Sequence, residues 1–276
     1  MRAKLVIALA GTIVLTTGSA VLASSRPVGQ HDLSVVAQQA TPAGETIPLA
    51  PLTDLASIEA TATITVDGMA NGEPMSGELT ADLVNGPDGT QIVATGSLLG
   101  DIVAQIGGSA VSLFRPKEVS VYQLPEGSYA VVSGLFDVCV QPADPQTIAA
   151  LQELSPQSLL ATLTSGDVAR GTLVGEETIG GLPVAHYTID GEAFLAAAQV
   201  SADPNVQQFA ESITSASDAD LYVSTEGYPM AYRGAFEGAF APLAFEGALS
   251  VEIALTGANG DASVELPEAC DNPISL

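Results

Sequence analysis

Residues 58–67 read Ile-Glu-Ala-Thr-Ala-Thr-Ile-Thr-Val-Asp, and Gly68-Met69-Ala70-Asn71-Gly72 follow. In an extended chain Ile58, Ala60, Ala62, Ile64 and Val66 share one face, while Glu59, Thr61, Thr63, Thr65 and Asp67 share the other. Such strict alternation, rich in β-branched side chains, predicts a strand with one buried face. Asn71-Gly72 is a hairpin signal, because both residues tolerate positive φ. The same alternation returns with Leu79, Ala81 and Leu83 against Glu78, Thr80 and Asp82. After the turn Asn85-Gly86-Pro87-Asp88-Gly89, a third strand is expected through Ile92, Ala94, Gly96 and Leu98. These three strands read as an antiparallel meander with a dry and a wet face.

Downstream, an apolar stretch over 100–116 reads as a flap and a strand, and strands are expected at 119–124 and 129–133. Asp144-Pro145 and Ser155-Pro156 each combine an N-cap residue with a first-turn proline, which predicts two short helices. Strands return at 168–177 and 182–190 around Gly180-Gly181. A helical insert spans about 192–213, and three strands at 219–225, 229–240 and 243–256 close the count. About ten or eleven strands with helices inserted in two places do not make βαβ alternation. The expected fold is a β-rich α+β domain over 55–276. In it a single curved antiparallel sheet, an unclosed half-barrel, wraps around its inserted helices.

The chain has 276 residues, with 32 acidic against 7 basic side chains and a formal net charge of −25. That balance argues against nucleic acid, whose phosphates need cationic neutralisation, and against an anionic membrane surface. Residues 1–23 read as a signal peptide: Arg2 and Lys4, then an apolar run, then Val21-Leu22-Ala23 at a plausible cleavage point. The apolar run is also just long enough for an uncleaved anchor. The expected location is therefore outside the cell or in its envelope, as a monomer. Residues 24–54, rich in Ser, Pro, Gln and Thr, read as a flexible linker. The two cysteines, Cys139 and Cys270, are expected to form a disulfide in an exported chain. It would close a loop of roughly 130 residues, worth about 4–5 kcal/mol at most in the chain-entropy account.

No catalytic constellation stands out. The motifs of nucleophile elbows, dinucleotide loops and zinc helices are absent from the sequence. His31 falls in the linker and His186 within a strand, so no cofactor and no metal is expected. Asp67, Asn71, Gly72 and Glu78 match calcium-loop spacing, but Met69 stands where an oxygen ligand is needed. The hairpin reading is preferred there.

The order of elements resembles the LolA/LolB-like fold, and within it the LppX/LprAFG family of bacterial lipid-binding lipoproteins. The residues that carry the resemblance are Ser155-Pro-Gln-Ser-Leu-Leu, then Gly175-Glu-Glu-Thr-Ile-Gly-Gly-Leu-Pro-Val-Ala-His-Tyr-Thr-Ile-Asp190, then 219–225 with Gly227-Tyr-Pro-Met. The chain departs from the family in having no cysteine after the apolar N-terminal run to carry a lipid. The resemblance implies an apolar cavity that accepts acyl chains and a non-enzymatic carrier of lipid or another apolar small molecule, and an envelope protein is an expected partner. The expected cavity residues are Ala60, Ala62, Ile64, Leu79, Ala81, Ala94, Gly234, Phe236, Phe245 and Leu249. Small residues on the dry face leave volume that a ligand fills or that the protein's own helices fill; sequence alone leaves both open.

Overall fold

A computed structural model describes residues 44–100, 116–141, 152, 155–165, 168–240 and 245–275. The expected signal peptide, most of the 100–116 stretch and the helix after Asp144-Pro145 lie outside the described residues. The strands are β1 (Glu45–Thr46), β2 (Ile58–Ala70), β3 (Glu73–Gly86), β4 (Gly89–Thr95), β5 (Glu118–Leu124), β6 (Gly127–Ser133), β7 (Val138–Gln141), β8 (Arg170–Ile179), β9 (Leu182–Ile189), β10 (Ile213–Ala216), β11 (Ala219–Ser224), β12 (Pro229–Phe240), β13 (Phe245–Ala258) and β14 (Ile274–Ser275). Among the described residues there are three α-helices, α1 (Pro156–Leu163), α2 (Gly191–Ala198) and α3 (Pro204–Ser212), and short 3-10 turns at Leu52–Asp54 and Glu268–Cys270.

All the strands join one 14-stranded sheet in the order β1-β8-β9-β11-β12-β13-β2-β3-β4-β5-β6-β7-β14, with β10 paired beside β12. The order does not close on itself, so the expected single, unclosed, largely antiparallel sheet is what forms. Every pairing is antiparallel except β7 with β14. The strands beyond the expected count are β1, β7, β10 and β14, all of them four residues or shorter. The long ladders β2–β3 and β2–β13 sit at the centre, where the alternation in sequence is cleanest. Asn71 (φ 52°) and Gly72 (φ 83°) form the two-residue hairpin turn the sequence signals. Asp67 and Glu78, which share the calcium-like spacing, stand on ladder positions of β2 and β3 either side of that turn.

The helices pack on one face, here called the inner face. Helix α1 lies against β2, β3 and β13, while α2 and α3 lie over β10 and, for α3, β12. The start of α1 at Ser155-Pro156 is the one the sequence predicts, and α2 begins beside the expected position 192 on a cap at Asp190. The Ser155 hydroxyl accepts from the Ser158 N–H at 3.3 Å, and Asp190 Oδ1 accepts from the Ala193 N–H at 2.7 Å.

Two expectations need correction. The third strand stops at Thr95, because Gly96 takes a φ of 122° and the chain enters a helical turn; Leu98 reaches the inner core from that turn and not from a strand. The expected linker boundary at residue 54 also fails for 44–54. Strand β1 pairs with β8, the Ile47 N–H donates to the Ala169 carbonyl at 2.9 Å, and the Ala50 N–H donates to the Gly227 carbonyl at 2.8 Å. Ile47 and Leu52 are buried in the main core. The segment shows no helix or strand period because it runs as a strap, bonded mostly to loop carbonyls and anchored by single apolar side chains.

The outer face is wet over β2, β13 and most of β3 but covered over β5–β7. After β13 the chain turns at Asn259 (φ 54°), whose Oδ1 accepts from the Ala56 N–H at 2.8 Å. The C-terminal segment then brings Val264 and Cys270 onto Tyr122, Tyr129, Val131 and Cys139, a second and smaller core. Cys139 and Cys270 are joined as expected, with a Cα–Cα distance of 5.2 Å across a separation of 131 residues.

Loss of this bond should loosen the C-terminal segment first. Replacing both cysteines with serine is expected to cost about 2–5 kcal/mol in chemical denaturation. It should also expose the 259–275 segment to protease before the rest of the chain. Equal stability of the variant and the parent would contradict this.

Candidate functional site

Register sorts the inner face into rows. One row runs across the middle of the sheet as Ala94, Ala81, Ala62, Ile253, Tyr232 and Leu221, each paired with the next. None is more than 3 % exposed. Three alanines side by side lower the floor over β2, β3 and β4, and α1 packs on β2 and β3 with Leu160 fully buried. Ala60 lies in the next row, paired with Leu83 and Leu255, and is equally buried. These alanines are buried positions on strands of the sheet, two of which α1 contacts.

The small size of Gly234 does not open space either. A Cβ there would stand 2.7 Å from the Tyr232 hydroxyl and 3.0 Å from its ring carbons. The ring of Tyr232, two residues back on the same face, lies across the glycine. Phe245 does the same one level further along: its ring carbons come within 2.9–3.0 Å of where Cβ atoms at Gly68 and Gly247 would be. In both places an aromatic ring takes up the volume that a glycine leaves in its own or an adjacent strand.

The accessible apolar surface lies between these filled positions. Ile64 pairs with Leu79 and Val251, and Leu249 pairs with Val66 and Phe236. All four partners are buried, yet Ile64 and Leu249 themselves are only partly covered. Phe209 of α3, also partly exposed, meets Phe236 edge-on at 5.3 Å and 83°, and Phe194 of α2 meets it at 6.0 Å. The result is a strip of partly exposed apolar side chains between sheet and helices, backed by buried ones. Of the expected cavity residues, the structure places Ile64 and Leu249 on this strip and Leu79, Phe236 and Phe245 among its buried neighbours. It puts Ala60, Ala62, Ala81 and Ala94 in the fully buried floor and Gly234 under Tyr232. The helix-borne Phe209 joins the strip and Phe194 backs it, both from a segment that the sequence marked only as helical.

Titratable groups stay out of the strip. The Tyr232 phenol is buried in the same core, and desolvation pushes it well above the usual tyrosine range. A separate pocket of about 430 Å³ opens at the far edge of the sheet, between the 44–48 strap and β8, beside Gly171, Leu173 and Tyr187. No expected site residue lines it. Among the described residues, no group of three His, Cys, Asp or Glu side chains is placed to hold a metal ion.

No known family matches the chain, and no curated protein does. Among solved structures, one similar chain is a DUF1329 family protein from Desulfovibrio piger, at 10% identity, with 78% of this chain and 89% of that one covered and a TM-score of 0.23. Another is an outer membrane lipoprotein-sorting protein domain from Vibrio parahaemolyticus, at 10% identity, with 79% and 90% covered and a TM-score of 0.23.

Two outcomes follow from the packing. Ala81→Phe should overpack the floor under α1 and cost about 1–3 kcal/mol, read as a lower denaturation midpoint; a neutral substitution would mean that the floor is open. Alkali should act through Tyr232. Its folded-state pKa lies above the unfolded value near 10, so its contribution is fully present below about pH 10 and is lost as pH rises further. Tyrosinate absorbance should therefore show a cooperative step that coincides with loss of near-ultraviolet dichroism. Smooth ionisation of all six tyrosines in a folded chain would contradict the burial.

Proposed function

We propose that the chain is an exported, non-enzymatic binding protein that holds an acyl chain or similar apolar ligand along Ile64 and Leu249, under Phe209. The observation that carries this reading is the partial exposure of large apolar side chains on a face whose neighbouring positions are buried. A strip of that kind offers apolar burial at about 0.8 kcal/mol per CH₂ and few polar groups to fix a headgroup, which suits chains better than compact polar molecules. The sequence resemblance to lipid-binding lipoproteins agrees with it. Lipid would be carried in the envelope or outside the cell, without a cofactor.

A second reading is a cell-surface structural protein whose inner face is filled by its own helices. The packing of α1 on β2, β3 and β13 favours it over that part of the sheet. The two readings differ at the strip alone.

Organic extraction of the purified chain followed by mass spectrometry should release acyl-chain lipid, and a fluorescent fatty acid should bind the delipidated chain. Leu249→Lys should weaken that binding by about tenfold or more, since a charge resists burial beside an acyl chain. Its melting temperature should fall only slightly, because Leu249 is already partly in solvent. No lipid in the extract and no uptake of the fatty acid would leave the structural reading.

A further inference from the structure

His186 on β9 sits between two carboxylates from two neighbouring strands. Its Nδ1 lies 2.8 Å from Glu177 Oε1 on β8, and its Nε2 lies 2.8 Å from Asp220 Oδ1 on β11. The ring stacks on Tyr222, with centroids 4.5 Å apart and planes 17° from parallel. The His186 side chain is 13 % exposed, while Glu177 and Asp220 are 50 % and 44 % exposed. A neutral imidazole has one N–H donor and one lone pair. Turning the ring over gives no relief, because an acceptor waits on both sides. Only the imidazolium donates to both carboxylates at once.

The geometry points to His186 as a proton-operated clamp on the edge hairpin β8–β9, closed when the imidazole is charged and half-released when it is neutral. The charged and titratable groups facing it are Glu177 from β8, Asp220 and Tyr222 from β11, and Arg233 from β12, which stands opposite Asp220 in register. Arg233 is itself held by Glu252 of β13, Nη2 to Oε1 at 2.8 Å. Glu177 and Asp220 are the direct partners of the ring, and Arg233, shared with Glu252, stands one strand further away.

The hairpin needs such a tie. Among the described residues, the only strand outside β8 is β1, which pairs with Arg170 and Gly171 alone, and the β8–β9 ladder is interrupted between Leu173 and Gly175. The stretch 172–179 therefore depends on β9 on one side and has no strand on the other. The contact from Glu177 through His186 to Asp220 spans β8, β9 and β11 and holds this outer stretch to the sheet. Its loosening reaches the edge pocket, because Gly171, Leu173 and Tyr187 all belong to the hairpin.

Amide hydrogen exchange on the full chain tests the clamp. Exchange over 172–189, corrected for the intrinsic pH dependence, is compared with that over β2–β3 at about pH 5.5 and about pH 8, within the range where imidazoles change charge. Protection of the hairpin should fall about two- to fivefold at the higher pH, the modest size expected of a half-exposed ion pair, while β2–β3 stays unchanged. In His186→Gln the hairpin should show no such pH dependence. A flat response in the parent chain, or the same fall in the variant, would overturn the proposal. Should the variant not fold, the imidazole resonances of the parent chain give the answer, with His31→Asn assigning them. Two ring N–H protons shielded from solvent at acidic pH support the clamp; one or none overturns it.

Discussion

Everything in the molecule depends on covering one face of a single open sheet. Its inner face is apolar from β11 to β4, and no second sheet is packed on it among the described residues, so short helices must do the work. The row Ala62, Ala81 and Ala94 makes this possible. Larger side chains there would hold α1 away from β2 and β3 and leave Leu160 without partners. The helix in turn supplies the dispersion contacts that alanines lack. The depth of that floor sets where helix meets sheet, and so where partly exposed Ile64 and Leu249 remain.

The outer face is managed differently. Where it is wet, threonine and carboxylate side chains suffice. Over β5–β7 the C-terminal segment covers it, and the Cys139–Cys270 bond fixes that cover to β7. The N-terminal strap at 44–54 performs the matching service at the other end, tying β8 to the Gly227 turn. Both ends of the domain are thus held by chain that is neither helix nor, for most of its length, strand.

The central strands were legible because Ile58 to Val66 and Leu79 to Leu83 face protein on one side and water on the other, which period two records directly. The start of α1 was legible because Ser155 and Pro156 do local work that leaves a local signature. The straps were not, since their pairing partners are far away in sequence. The spacing of Ala262, Val264 and Leu266 is a period-two signal for the C-terminal cover, but nothing local says that no ladder bonds accompany it. The cavity was legible only in part. Residue size alone marks Gly234 and Gly247 as room, whereas the rings of Tyr232 and Phe245 fold over them. Which of several apolar residues stays uncovered depends on helix placement, and no spacing encodes that.

The account's central claim is that the uncovered strip at Ile64 and Leu249, and not the alanine floor, is where an apolar ligand lies. Methyl NMR of the delipidated chain with a spin-labelled fatty acid tests it directly. The methyl signals of Ile64 and Leu249 should broaden first, while those of Leu160, Leu221 and Ile253, sealed in the floor, keep their intensity. Equal broadening across both sets, or none anywhere, would contradict the account.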